Sequence, residues 1–443
     1  MVINWERGAR EIQGEIIRKY PYLGKNADWV LHTECDYFRP GLTWPLRASR
    51  FAPVALPSGC IFSARGYAMF AREDQLRSLW GLCLSSTFDF MFKMLLGRFG
   101  FPEFIVGILE KLPVPDLGTR DGARLGDITD QGARLKRDLD TNTQTSHVFI
   151  VPVLLHTPGD SLVDSVAARQ KRISEATAEM AKHQNEIDHL AYRLYDIPEE
   201  DRQSIESSLQ SNTAVEGDGE ISEEVDSATA QVQTDRRTLA ADFISYSLGC
   251  AFGRWDVRIA LDQTLAPELA GPFDPLPVCS PGMLVGPDAL PAAENRIVSE
   301  EWLRARPDAI TLPPPGTVKE LAITATDYPL PVAWDGILVD DEGHEDDVVR
   351  RVRLVLGLLF GERAETRERD LCAALGLKQL RNYLRHPQAC FADHIARYSK
   401  SRRKAPIYWL LQSDKRSYAV WLYCHRITKD TLHRVQNDYV VPK

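Results

Sequence analysis

The 443-residue sequence predicts a mixed α+β protein of about three domains. Short apolar runs separated by Pro, Gly and Ser in residues 1–118 are typical of short strands joined by tight turns. An apolar residue every seven positions from Val166 to Leu194 predicts one long helix. A helical apolar stripe followed by two β-type runs predicts an α+β block in residues 332–443.

The first block, residues 1–118, contains the predicted strands 54–56 and 60–62 on either side of a Pro-Ser-Gly turn. A helix is expected over about residues 73–96. Residues 119–145 are polar and rich in Gly, Asp, Arg and Thr, so they are predicted to form a linker or long loop.

The long helix is expected to cover about 37 residues and to end before Pro198. Its stripe indicates packing, either as a core or spacer helix or as a helix that contacts another subunit. An acidic stretch at about residues 199–227 predicts a flexible loop, and Ser227 is a candidate N-cap for a second helix. Residues 146–265 together form a predicted helical spacer.

Two further segments follow the spacer. Residues 266–331 are rich in proline and are predicted to be an extended, irregular segment. In the last block, residues 332–443, apolar positions from Val348 to Leu359 predict a helix. Residues 407–411 and 418–423 predict two strands joined by a polar turn.

Charge is distributed very unevenly along the chain. The net charge is −9, from 53 Lys and Arg against 62 Asp and Glu. Between Lys378 and Arg434, however, thirteen Lys or Arg stand against three acids, which gives that segment a charge of +10 and the remainder −19. A basic module in an acidic protein predicts a local contact with a polyanion.

Several functional classes are excluded by what the sequence lacks. The longest apolar run, residues 148–155, is far shorter than the roughly 20 residues of a membrane-spanning helix, and residues 1–7 show no secretory signal. There is no Walker-type phosphate loop, no nucleophile elbow and no zinc pattern among the cysteines. The cysteines are expected to be reduced, in a cytoplasmic protein. The acids of residues 340–347 suit a helix N-terminus better than a metal site.

Two groups of residues have the pattern of a nucleic-acid contact. In the first block the arginine fork, which suits guanine edges and phosphates, occurs beside small hydroxyl residues; the group is Arg47, Ser49, Arg50 and Arg65. In the last block cations flank the two predicted strands and suit phosphate contact; they are Lys400, Arg402, Arg403, Lys404, Lys415, Arg416 and Arg426. The alternatives are a solvated loop whose arginines cover apolar neighbours, and a generic basic surface.

Four segments carry a more specific pattern. They are Pro40–Trp44 with Ser58–Phe62, Ile187–Glu200, Ile244–Arg254, and Asp335–Ile337 and Phe360–Gly361 with the runs Ser401–Leu410 and Tyr423–Tyr439. In this order they resemble large phage-defence adenine-N6 DNA methyltransferases of the BREX and phage-growth-limitation type, to which class 1 DISARM methyltransferases and fused restriction–methylation enzymes are related. The resemblance implies a target recognition domain over residues 1–118.

The resemblance also implies two catalytic motifs that the sequence lacks. Enzymes of this family hold S-adenosylmethionine on a Gly-rich loop and the flipped adenine on an Asn/Asp-Pro-Pro-Tyr/Phe motif. Here Asp274-Pro275 is followed by Leu276 and Pro277. The chain thus resembles the recognition half of such an enzyme and is expected to begin where the catalytic domain ends, either as a separate subunit or as a fragment.

The sequence therefore predicts a DNA-recognition (specificity) subunit or fragment of a bacterial phage-defence adenine-N6 DNA methyltransferase in a restriction-modification type of system. It is not expected to be an enzyme on its own, and no catalytic, cofactor-binding or metal residue is expected in it. The expected partners are double-stranded DNA, a catalytic subunit that carries S-adenosylmethionine, and other phage-defence proteins, with no membrane. The alternative is an assembly or regulatory protein of a phage-defence complex that does not read DNA.

Overall fold

The computed structural model describes residues 5–24, 27, 31, 36–62, 66–100, 102–156, 161–212, 236–286, 290–292, 328–400 and 403–443. The chain divides into two compact units. The first contains Met1–Leu135, Ala176–Ala230 and Ala270–Leu276, and the second contains Lys136–Glu175, Gln231–Leu269 and Pro277–Lys443. Both combine helices with small antiparallel sheets, which confirms the predicted mixed α+β class.

The helices and strands of the described residues are numbered in chain order. The helices are α1 (Glu6–Lys19), α2 (Glu73–Leu84), α3 (Ser86–Leu96), α4 (Val106–Leu109), α5 (Arg120–Asp140), α6 (Val153–His156), α7 (Leu162–Leu194), α8 (Glu199–Asn212), α9 (Arg236–Ala251), α10 (Val257–Leu261), α11 (Val348–Phe360), α12 (Ala364–Ala374), α13 (Leu380–Arg385), α14 (Ala392–Arg397) and α15 (Thr431–Arg434). The strands are β1 (Gly41–Thr43), β2 (Val54–Leu56), β3 (Ala68–Met69), β4 (Ile337–Val339), β5 (Ser399–Lys400), β6 (Arg403–Lys404), β7 (Tyr408–Gln412) and β8 (Ala419–Tyr423).

The sheet of the first unit has the strand order β2–β1–β3, with both pairs antiparallel. Strand 54–56 is confirmed, whereas residues 60–62 form no strand. Aromatic rings fill the core beside the sheet, where the Phe51 ring lies 5.1 Å from Phe104 and 5.7 Å from Phe88. Trp44 Nε1 donates to the backbone oxygen of Phe104 at 2.9 Å, so its one polar atom is satisfied inside the core.

The helix predicted over residues 73–96 is interrupted at Ser85, so one predicted helix is two, α2 and α3. Ser85 has an extended backbone, and its hydroxyl accepts from the backbone N–H of Phe88 at 3.2 Å. A serine in this role ends the preceding helix and caps the next one. The polar run Ser85-Ser86-Thr87 is the sequence signal of this break.

The prediction of a linker or long loop over residues 119–145 is wrong, because Arg120–Asp140 is helix α5. Its buried face contains Leu125, Ile128 and Thr129, and it packs closely on α2. At Gly81 of α2 an added Cβ would lie 2.3 Å from Thr129 Oγ1 and 2.8 Å from Leu125 Cγ, so the crossing requires a glycine. Close helix packing compensates for the low helix propensity of the glycines in α5.

The long helix is confirmed, with 33 residues in α7. The acidic loop predicted to start at residue 199 is wrong over its first part, because α8 extends to Asn212. Three acids, Glu199 to Asp201, occupy its first turn, where they complement the helix dipole. Residues 213–235, including Ser227, lie outside the described residues.

The second unit surrounds a sheet of order β4–β8–β7, again antiparallel throughout. The strands β7 and β8 and the helix α11 confirm the three elements predicted in residues 332–443. One face of the sheet, with Tyr408, Trp421 and Tyr423, joins the core formed by α9, α11 and α12. The described parts of 266–331 contain isolated bridges and no helix.

The seven described cysteines are free thiols, and burial raises the pKa of Cys83, Cys250 and Cys390. In the same described ranges no single helix is long and apolar enough to cross a membrane; α2 and α3 meet that criterion as a pair, bent by 67°.

Candidate nucleic-acid interface

The loop between β1 and β2, residues 47–51, is held by a buried ion pair. Asp89 and Lys93 lie one turn apart on α3 with their charged atoms 2.8 Å apart. Lys93 Nζ also donates to the backbone oxygen of Ser49 at 2.7 Å, and Asp89 Oδ1 accepts from the backbone N–H of Phe51 at 2.8 Å. Since each charge is satisfied by the other and by the loop backbone, the pair fixes the path of the loop over α3.

The predicted base-contacting residues occupy different positions on this loop. Arg47 is exposed and pairs with Glu103, with Nε donating to Oε1 at 2.7 Å. Ser49 is also exposed, whereas Arg50 is half-buried and donates to the last backbone oxygen of α2. Arg65 lies outside the described residues. The loop therefore presents Arg47 and Ser49 to solvent, whereas Arg50 anchors the loop to the end of α2.

The junction between α2 and α3 also joins this loop to α7. The Leu84 backbone oxygen accepts from Arg50 and, at 3.2 Å, from Gln184 Nε2 of α7. Asp188 of α7 accepts from the backbone N–H of Ser86 at 2.6 Å and from its hydroxyl at 3.0 Å. A carboxylate in this position also complements the positive end of the α3 dipole. The loop is consequently positioned by α7 as well as by α3.

Sequence reasoning missed these supporting residues. A signal for Asp89 and Lys93 was present, because an acid and a base four residues apart interrupt the apolar run of α3 and face the same side of it. Asp188 gives no such signal, since its partner Ser86 is 102 positions away in sequence.

The cations of the basic segment divide into groups in the second unit. Four arginines are neutralised by acids that lie outside the segment: Arg381 by Asp340 and Asp347, Arg385 by Asp340, Arg397 by Asp242, and Arg434 by Asp335. The charge of +10 therefore overstates what the segment offers to a ligand.

Arg426 is engaged with the backbone of its own unit. Its guanidinium donates to the backbone oxygens of Trp334 and Ala292, both at 3.1 Å, and lies 4.7 Å from the Trp334 ring. The contacts fasten the loop before β4 to the end of β8. They favour a structural role for this residue over the predicted phosphate contact.

Three of the predicted cations are exposed and have no ion-pair partner in the described part of the chain. Lys404 ends β6, Lys415 and Arg416 form the turn between β7 and β8, and all three are exposed. Within the described residues none of them makes an ion pair, and we call them the C-terminal cation set. Lys400 and Arg403 lie opposite one another in the β5–β6 hairpin, and their side chains are not described. Arg402 lies outside the described residues.

The acids of residues 340–347 serve the start of α11, as predicted. Asp347 accepts from the backbone N–H of Arg350 at 3.0 Å and so caps the helix. Asp347 and Asp340 are buried, and both bind Arg381, at 2.8 Å and 2.5 Å. Among the described residues no group of side chains is suited to a metal ion.

Two residues of the family segment Ile244–Arg254, Gly249 and Arg254, lie in the core of the second unit. Arg254 is buried, its guanidinium 4.2 Å from the Trp255 ring, and it donates to the Tyr398 hydroxyl at 2.8 Å. Gly249 allows this arrangement, because an added Cβ would lie 2.2 Å from Trp255 Cδ1. The pattern thus marks a packed cation–aromatic cluster.

His394 belongs to the same cluster. Its Nε2 accepts from the backbone N–H groups of Ile407 and Tyr408 at 2.9 and 3.0 Å, so the neutral ring carries its proton on Nδ1. Burial, together with the nearby Arg397 and Arg254, lowers the pKa of His394 to about 3. The ring therefore anchors the start of β7 in its uncharged form.

The chain has counterparts among known proteins. It is 23% identical to the adenine-specific methyltransferase BrxX of Escherichia coli O9:H4 (strain HS) over 431 residues, 92% of this chain and 30% of BrxX. It is 22% identical to the adenine-specific methyltransferase PglX of Lacticaseibacillus casei (strain Zhang) over 466 aligned residues, 100% of this chain and 31% of PglX. The chain is a homologue of both.

These relatives confirm the predicted resemblance to BREX-type adenine methyltransferases, at low identity over most of the chain. Both relatives are adenine-specific methyltransferases. The chain spans about three tenths of the length of these curated relatives. No protein-family profile matches it.

Replacing Asp89 with Asn should destabilise the first unit by about 3–5 kcal/mol, because Lys93 would stay buried without a counter-charge. The amide oxygen can still accept from Phe51, so the variant tests the charge itself. Urea unfolding followed by circular dichroism measures the change. The matched control is Asp74→Asn, which breaks an exposed pair with Arg72 and should change stability by less than about 0.5 kcal/mol. Equal effects of the two substitutions would show that the Asp89–Lys93 pair does not stabilise the first unit.

Acid should destabilise the second unit through His394. Because its pKa is lowered to about 3 in the folded protein and is about 6.5 when unfolded, the unfolded state binds more protons between these values. The free energy of unfolding should therefore fall as the pH decreases from about 6.5 towards 3. A His394→Asn variant keeps an acceptor but cannot titrate, so its stability should depend less on pH in this window. The exposed His433→Asn is the control, and a wild-type slope in His394→Asn would refute the assignment.

Proposed function

We propose that this chain recognises double-stranded DNA for a phage-defence adenine-N6 methyltransferase, as its specificity subunit or segment. The observation that carries the proposal is the state of the C-terminal cation set. Four arginines of the basic segment are neutralised internally, whereas Lys404, Lys415 and Arg416 are exposed and make no ion pair in the described structure. Unneutralised cations at both ends of a two-stranded unit suit contacts with a phosphate backbone.

The loop at residues 47–51 is the proposed element for base recognition. Its backbone is fixed by the Asp89–Lys93 pair, while Arg47 is held outward by an exposed ion pair with Glu103. An exposed pair of this kind contributes at most about 1 kcal/mol, so Arg47 can exchange Glu103 for a guanine edge at little loss. A fixed backbone with one exchangeable arginine is the arrangement that a sequence-reading loop needs.

Methyl transfer is proposed to belong to a separate catalytic subunit or domain that carries S-adenosylmethionine. Within this chain the sequence contains no Asn/Asp-Pro-Pro-Tyr/Phe motif for the target adenine. The purified chain, incubated with S-adenosylmethionine carrying a labelled methyl group and with duplex DNA, should incorporate no label. Incorporation by the chain alone would make it an enzyme and would overturn this division of labour.

The C-terminal cation set should set affinity without setting sequence choice. Replacing Lys404, Lys415 and Arg416 with Gln should weaken binding to every duplex to a similar extent. It should also reduce the slope of log affinity against log salt by about 3, roughly one for each lost phosphate contact. Fluorescence anisotropy of labelled duplexes, measured from low to moderate salt, gives both quantities.

A control with the same change of net charge uses cations that are exposed but internally paired. Lys136, Lys171 and Arg353 pair with Asp140, Glu175 and Glu368 in the same unit, and their replacement with Gln should leave the salt slope within about one of wild type. Equal slopes for the two triple variants would show that the cation set does not contact phosphate. A wild-type chain that binds no duplex would instead favour the assembly or regulatory alternative.

Replacing Arg47 with Ala should relax sequence choice. A bidentate arginine–guanine contact supplies about 1–3 kcal/mol of discrimination, so the variant should lose about tenfold or more in preference at one base pair and little in affinity for random DNA. Selection of bound duplexes from a randomised pool with wild-type and variant chains measures this. Arg72→Ala, which removes another exposed, acid-paired arginine of the first unit, is the control. Identical selected sequences from wild type and Arg47→Ala would exclude Arg47 as a reader.

A further inference from the structure

The outer face of the β4–β8–β7 sheet is covered over two of its three strands. Residues opposite one another on neighbouring strands point to the same face. Ile337, Leu422 and Trp409 form one such row, and Val339, Val420 and Leu411 form the next. The members on β4 and β8 are buried in a small core completed by Val435, Tyr418 and Tyr439.

On the third strand, β7, the two residues of these rows are exposed to solvent. Trp409 is 46% exposed and Leu411 is 39% exposed, whereas their neighbours Leu422 and Val420 are each 3% exposed. The opposite face of the same strand is packed, since Tyr408 belongs to the main core of the unit. The Trp409 side chain is thus about half exposed on a strand whose other face is packed.

Unneutralised cations lie at both ends of this uncovered strand. Lys404 precedes β7 by four residues, and Lys415 and Arg416 form the turn that follows it. The five residues of β7 extend about 16 Å at roughly 3.3 Å per residue, which corresponds to the axial rise of about five nucleotides in one strand of a duplex. The surface therefore suits a polyanion that also offers a flat apolar group to Trp409.

We propose that Trp409 is a stacking platform for an unpaired DNA base, with the C-terminal cation set holding the phosphates on either side. This rests on the proposed function, because the ligand is DNA. An intact duplex shows phosphates and base edges at its surface but keeps its base faces inside the stack. Indole stacking on a base face therefore selects DNA in which a base has left the helix. Leu411 extends the apolar surface beside the ring.

Fluorescence anisotropy with the full chain can compare three DNAs of one length: a perfect duplex, the same duplex with one extra unpaired adenine, and the single strand. Trp409→Ala should weaken binding to the last two about tenfold or more, and binding to the perfect duplex less than twofold. Trp409→Phe, which keeps an aromatic face, should retain most of the affinity. Tyr22→Ala removes another exposed ring, 81% exposed, and should change none of the three.

The possible outcomes separate this platform from the proposed function. Wild-type binding to the perfect duplex, with all three affinities unchanged in Trp409→Ala, overturns the platform alone. An equal loss of affinity for all three DNAs in that variant also overturns it. A wild-type chain that binds none of them overturns the proposed function and the platform together. If sedimentation shows that Trp409→Ala dissociates an oligomer while DNA affinity is unchanged, a second copy of the chain covers the strand and the platform is wrong.

Discussion

The buried ion pair between Asp89 and Lys93 is the interaction on which the proposed reading loop depends. Its charges lie inside an aromatic core, where neither is tolerable alone, and their remaining hydrogen bonds go to the loop backbone at Ser49 and Phe51. The same rule operates in the second unit, where Arg381 is held by two buried aspartates. Charges that leave water are paired, and those pairs fix the backbone around them.

This rule separates supporting cations from those that can meet a ligand. Arg50, Arg426 and Arg381 donate to backbone oxygens or buried carboxylates, so a change in the position of these arginines would disturb the fold. Lys415 and Arg416 make no such contacts, because the turn that contains them is exposed and the described structure shows no acid paired with them. In the proposed function, affinity for a polyanion comes from such exposed residues, because their contact with a ligand requires no rearrangement of the core.

The sequence predicted elements whose signal is local. Helix α11 and the β7–β8 hairpin follow from apolar periodicity and a polar turn, and α7 follows from its seven-residue spacing. Helix α5 was not predicted, because its glycines are favourable only when α2 packs on them. At Gly126 of α5 an added Cβ would lie 3.0 Å from Ser78 Oγ of α2. The engagement of individual cations was equally unpredictable, since the salt bridge of Arg397 with Asp242 joins residues 155 positions apart. Local patterns identify elements, but long-range partners decide which side chains stay available.

The family resemblance and the proposed contacts rest largely on different residues. Gly249, Arg254 and Tyr408 carry the resemblance and lie in the core, where packing restricts them. Arg47 and Lys415 carry the proposed contacts and lie at the surface, where substitution leaves the core intact. Packing therefore constrains the residues that carry the resemblance more strongly than those of the proposed contacts. Lys404 and Trp409 belong to both groups, because they lie in the run Ser401–Leu410 of the family pattern and are exposed. Because these side chains are exposed, they can contact the proposed ligand without any change in the packing of the core.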